Sequence, residues 1–113
     1  MKLTPEKLAE HYDWLRQTVV FRDLKFPARE RMVFKTTKDK RKRGYFRPLS
    51  SGWVIAISEE HNKTQEDVQK VMAHEMVHAH LEMVCPDAPH HGKEFQECAD
   101  HVCKRLGFDR EKF

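Results

Sequence analysis

Residues 64–84 read Thr64-Gln65-Glu66-Asp67-Val68-Gln69-Lys70-Val71-Met72-Ala73-His74-Glu75-Met76-Val77-His78-Ala79-His80-Leu81-Glu82-Met83-Val84, and the fold turns on this stretch. Thr64 followed three residues later by Asp67 is a capping box with Asp in place of Glu, so a helix starts here. Val68, Val71, Met72, Met76 and Ala79 recur at helical spacing and give the helix a face to bury. It runs to about Val84 and stops before Cys85-Pro86, because proline cannot continue it. Within it stands His74-Glu75-Met76-Val77-His78, an H-E-x-x-H motif. Histidines four apart lie one turn above each other on the same helix face, so their ring nitrogens can converge on one zinc ion. Glu75, rotated about 100° around the helix, can reach a zinc-bound water rather than the metal, and there act as general base.

On the N-terminal side, Thr4-Pro5-Glu6 caps and starts a first helix, and Leu8, Tyr12, Leu15 and Val19 extend its apolar stripe over about residues 5–20. Arg31-Met32-Val33-Phe34-Lys35 reads as a short strand. Lys38-Asp39-Lys40-Arg41-Lys42-Arg43-Gly44 is too polar to pack and forms an exposed loop or hairpin tip leading into Tyr45-Phe46-Arg47. Trp53-Val54-Ile55-Ala56-Ile57, β-branched and apolar on both faces, gives the clearest strand. On the C-terminal side a loop carries Pro86, Pro89, His90, His91 and Gly92. A last helix then places Phe95, Cys98, Ala99, Val102 and Leu106 on one side and ends at Gly107. The expectation is an α+β fold: a small, mostly antiparallel sheet packed on the motif helix, with N- and C-terminal helices, as a single domain over residues 1–113.

Charge is uneven along the chain. Residues 1–60 hold 14 Lys/Arg against 8 Asp/Glu, residues 61–113 hold 7 against 10, so the halves carry +6 and −3. Lys38, Lys40, Arg41, Lys42 and Arg43 form the one cluster with an electrostatic case for binding DNA; a solvated loop is the plainer explanation. Tyr45, Phe46 and Trp53 lie near it but read as core aromatics. Cys85, Cys98 and Cys103 are odd in number with no C-x-x-C pair, which argues for reduced thiols rather than disulfides or a cysteine-built zinc ribbon. No apolar run approaches the roughly 20 residues of a membrane span, and Met1-Lys2-Leu3-Thr4-Pro5-Glu6 has no signal-peptide core, so a soluble, cytoplasmic protein is expected.

An open zinc site needs a third protein ligand and a free fourth position. Leu81 and Val84 stand where a metzincin would have Gly and His, which excludes that pattern. Glu94 or Glu97 could serve in a thermolysin-like arrangement. His91 is the better placed, at the mouth of the last helix, where Gly92 lets the backbone approach the motif helix. His90 beside it reads as an exposed loop histidine, and His11, His61, His80 and His101 have no convergent partner.

His74-Glu75-Met76-Val77-His78-Ala79 followed by His91-Gly92-Lys93-Glu94-Phe95, with Gly44 and Ile55-Ala56-Ile57-Ser58 upstream, resembles the SprT-like metalloproteases, which include the Spartan-type proteases acting on DNA–protein crosslinks. The resemblance covers about residues 4–108. It implies a zincin-like fold, His74, His78 and His91 as zinc ligands, Glu75 as catalytic acid/base, and a protein substrate that is DNA-associated or DNA-crosslinked. The chain differs from larger members in having no cysteine zinc ribbon. Two other readings remain: a DNA-binding module whose zinc is structural or vestigial, and a small regulatory H-E-x-x-H peptidase of phage or toxin–antitoxin type, which would lack the H-G-x-x-F partner.

Overall fold

The computed structural model describes residues 2–113. Helices α1 (Pro5–Arg16) and α2 (Val19–Arg22) lead into strand β1 (Met32–Thr37), β2 (Gly44–Leu49) and β3 (Gly52–Ser58) follow, and helices α3 (Gln65–Val84) and α4 (Lys93–Leu106) complete the regular elements. The architecture is α+β, with one three-stranded sheet and four helices. Among the described residues no helix is long and apolar enough to cross a membrane.

The expected single N-terminal helix is broken. Thr18 takes an extended backbone, ψ 155°, and its hydroxyl donates to the Leu15 carbonyl at 2.6 Å, satisfying an acceptor that the next helical turn would otherwise use. The sheet also differs from expectation. Its order is β1-β3-β2, with β3 antiparallel to β2 but parallel to β1, so it is mixed rather than mostly antiparallel. A tight turn at Ser50-Ser51 pairs β2 with one edge of β3, and β1 takes the other. The charged segment between β1 and β2 is therefore no hairpin tip; it crosses the end of β3. Buried Ser58 and Asn62 hold it there: Ser58 Oγ donates to the Asp39 carbonyl at 2.6 Å, and Asn62 Nδ2 to the Arg43 carbonyl at 3.0 Å.

Alternation along the strands sends Met32, Phe34, Ile55 and Ile57 to one face, where α1 and α3 cover them. Leu8, Tyr12 and Leu15 of α1 and Val68, Met72 and Met76 of α3 close this core, each contributing about 1.5–3 kcal/mol of burial for the larger aliphatic side chains. The capping box at Thr64 forms, with Asp67 N–H donating to Thr64 Oγ1 at 3.0 Å. Gly107 closes α4 in the left-handed conformation, φ 77°. Gly44 meets a different constraint. A Cβ there would lie 2.7 Å from the Ala56 carbonyl oxygen of β3 and 3.3 Å from Val71 Cγ2 of α3, so β2 can run this close to its neighbours only without a side chain.

Candidate active site

The helical phase of α3 buries Val71, Met72 and Met76 and leaves His74 and His78 half-buried on its border with α4. Gly92, where a Cβ would come 3.1 Å from Pro89 Cβ, leads into α4, and Gln96 Nε2 donates to the His91 carbonyl at 3.0 Å, which fixes the backbone of the third histidine. One ring nitrogen from each of His74, His78 and His91 lies within 4.8 Å of the others. Among the described residues this is the group that could hold a metal ion, and neither Glu94 nor Glu97 belongs to it. Beneath the three imidazoles sits Phe95, 2% exposed, with its ring centroid 4.6 Å from that of His78, 4.8 Å from His91 and 5.0 Å from His74.

The donor set suits zinc. Tetrahedral bonds of about 2.0–2.1 Å put ligand nitrogens roughly 3.3 Å apart, and the exposed His91 has the freedom to close the remaining gap. Burial pulls His74 down to about 4, with His91 adding to the effect, and pulls His78 down to about 3, so both rings are neutral near pH 7, as ligation requires. The tautomer of His74 is also set. Its Nδ1 lies 3.2 Å from the Phe113 carbonyl oxygen, which can only accept, so Nδ1 carries the proton and the Nε2 lone pair is free for a metal.

That carbonyl is delivered by a tail with its own anchors. Arg110 donates to Asp100 Oδ1 at 2.6 Å and to Gln96 Oε1, Asp109 caps a short 3-10 turn, and the Phe113 ring stacks on Phe108. Phe113 has no motif in the sequence that announces this role, since its backbone oxygen makes the contact.

Glu75 is 5% exposed, between the histidines and Gly44. Burial raises its carboxyl to about 8 and the Lys42 ammonium opposes this. Two clefts of about 360 and 420 Å³ meet over it, sharing Lys42, Gly44, His74 and Glu75 and forming one trough between α3 and β2. The second cleft reaches His78, His90 and His91, and His90 stands 5.5 Å from His78. The β2 side of the trough is an open strand edge. Ser58 N–H donates to the Arg43 carbonyl at 2.8 Å, so antiparallel alternation turns the N–H and C=O of Gly44 and Phe46, and the C=O of Pro48, away from β3.

The five residues of the basic loop are all exposed. The structure divides them: Lys42 and Arg43 line the trough, whereas Lys38, Lys40 and Arg41 do not. His80 is occupied with the Lys25 carbonyl at 2.8 Å. The three cysteines are free thiols, Cys103 buried and Cys85 and Cys98 partly so.

Comparison with protein families gives a match to the SprT-like family over residues 8–111, and the chain belongs to that family. The match points to a metalloprotease-type domain. Comparisons with curated proteins and with solved structures give no match.

The three shifted groups set a pH profile for the metal-free protein. Neutral His74 and His78 favour the folded state fully above their ordinary value of 6.5, and that contribution is lost as pH falls toward 4 and 3. Protonated Glu75 favours it below the ordinary 4.5, and that contribution is lost as pH rises through 8. Between 4.5 and 6.5 two histidines outweigh one glutamate, and above 6.5 only the glutamate slope remains. Chelator-treated protein should therefore lose stability from pH 6.5 to 8.5 relative to Glu75→Gln, measured by thermal denaturation. Parallel curves for the two proteins across that range would contradict the buried-carboxyl assignment.

Proposed function

We propose that this SprT-like chain is a zinc-dependent endopeptidase in which Glu75 activates the attacking water. The observation that carries this reading is a buried glutamate adjoining three convergent imidazoles and opening onto a trough bordered by an unpaired strand edge. His74, His78 and His91 would hold the ion in a zincin-like arrangement. Zinc bound there supplies a Lewis acid for the scissile carbonyl, and its charge favours the ionised form of Glu75. Three protein donors rather than four fit an open catalytic site better than a closed structural one.

The chain's own groups divide the work as follows. Glu75 accepts a proton from water as the water oxygen bonds to the carbonyl carbon, then delivers that proton to the departing amine nitrogen as the C–N bond breaks. The outward N–H and C=O of Gly44 and Phe46 pair with the backbone of an extended substrate, adding it as a further strand. Such pairing reads main chain rather than sequence, so the substrate is an unfolded or flexible protein segment. His74 keeps its orientation through the Phe113 carbonyl.

Glu75→Gln should keep zinc and the fold while losing about 10²–10⁴ in cleavage of a casein-like substrate, the usual worth of a general base. Undiminished cleavage by that variant would defeat the mechanism.

A DNA-associated substrate is the second part of the reading. It is supported by five exposed cations, Lys38, Lys40, Arg41, Lys42 and Arg43, on the segment that enters the trough. Such a cluster binds phosphates without sequence preference and raises the local concentration of any protein attached to the DNA. Reversing the charge of Lys38, Lys40 and Arg41 together should weaken binding to a random-sequence duplex about tenfold and flatten its salt dependence. Equal affinity of variant and parent at several salt concentrations would remove DNA from the account.

A further inference from the structure

Beyond Glu75, at the Gly44 end of the trough, the cleft of about 360 Å³ is walled by cations from three separate parts of the chain. Lys42 and Arg43 come from the segment crossing β3, Lys70 from α3 one turn before His74, and Lys112 from the tail. Arg22, Arg29, Arg41, Lys93 and Arg110 meet neighbouring carboxylates, Arg29 with Asp13 at 2.8 Å and Arg110 with Asp100 at 2.6 Å among them. None of the four cleft cations takes part in an ion pair among the described residues. The two acids on the same wall are committed, Asp67 to the Thr64 N–H at 3.3 Å and Glu75 to the reaction.

Arg43 and the tail backbone beside it are held in place. The Arg43 carbonyl accepts from Ser58 N–H at 2.8 Å and from Asn62 Nδ2 at 3.0 Å, while its guanidinium donates to the Lys112 carbonyl at 3.1 Å. This last bond clasps the tail to the loop. Gathering four like charges around a concavity costs repulsion that an anion relieves, and a walled cleft focuses their field on whatever enters.

The anion's identity follows from where the cleft lies. It shares Lys42, Gly44, His74 and Glu75 with the rest of the trough, so an extended polypeptide paired with Gly44 and Phe46 places a side chain in it. Lys38, Lys40 and Arg41 lie outside the cleft, so phosphates of a nucleic acid can be met there without entering it. We propose that this cleft is a specificity subsite for a substrate carboxylate, from an Asp or Glu side chain or from a chain terminus, at one position beside the scissile bond. The proposal rests on the peptidase reading and adds to it a preference that the open strand edge cannot supply.

The test uses the zinc-loaded full chain and internally quenched peptides that share one cleavable bond, with Gln, Glu or Lys placed in turn at each of the four positions on either side. One position is expected at which Glu raises kcat/KM about tenfold over Gln and Lys lowers it, the size of effect a charged hydrogen bond provides. Peptides ending at that position as free acid or amide distinguish a terminal carboxylate from a side-chain one, and a gain from either supports the subsite. In Lys70→Gln/Lys112→Gln, checked for zinc content, the Glu-to-Gln ratio should fall to about one. If the parent cleaves the peptides in a Glu75-dependent way with no position favouring Glu, the subsite is wrong and the peptidase reading stands. No Glu75-dependent cleavage of any peptide overturns both. An unchanged ratio in the double variant, or a variant altered only in duplex DNA affinity, also overturns the subsite, and the parent scan decides the matter if the variant does not fold.

Discussion

One buried phenyl ring ties the site together. Phe95 packs simultaneously on His74, His78 and His91, so it is the contact through which α4 presents its leading loop to α3. Burying such a side chain contributes roughly 1.5–3 kcal/mol, and here that energy also fixes ring positions. Helix α3 alone could offer two imidazoles at one turn's separation. The third arrives with the loop ahead of α4, whose Phe95 is buried against all three rings. The motif pair in the sequence is therefore one packing unit in space.

The second consequence of α3's burial is electrostatic. Desolvation depresses His74 and His78 to about 4 and 3 and raises Glu75 to about 8, so the same low-polarity environment leaves the imidazoles neutral and the carboxyl protonated in the absence of a cation. A divalent ion reverses the second effect and exploits the first. On the proposed reading, metal loading creates the reactive state from an otherwise neutral cluster. The Phe113 carbonyl completes the arrangement by choosing the His74 tautomer, and the tail that carries it is clasped by Arg43, so the basic segment and the histidines share one support.

Much of this was legible in the sequence because it depends on local chemistry. The Thr64–Asp67 capping box, the apolar stripe of α3, the Gly107 stop and the β-branched run of β3 each act within a few residues, and each appears in the structure at about the place they indicate. The convergence of His91 with His74 and His78 followed from the H-G-x-x-F signature beside H-E-x-x-H. What escaped has non-local causes. Parallel pairing of β1 with β3 joins residues 21 positions apart, Met32 with Trp53 and so on along the strand, and no local pattern marks it. The break at Thr18 comes from a side chain competing for a backbone carbonyl. The contact of Phe113 with His74 uses a backbone oxygen, which every residue has, so no residue type marks it. Separation of Lys42 and Arg43 from the rest of the basic run depends on where the segment crosses β3.

The central claim is an open zinc site made by two histidines of α3 and a third from the loop leading into α4, and X-ray absorption at the zinc edge of the loaded protein tests it most directly. The account predicts about one zinc per chain, surrounded by three imidazole nitrogens at about 2.0–2.1 Å and one further oxygen donor, with a nitrogen lost in His91→Ala. A sphere closed by four protein ligands, a cysteine sulfur at about 2.3 Å, or a spectrum unchanged by His91→Ala would contradict it.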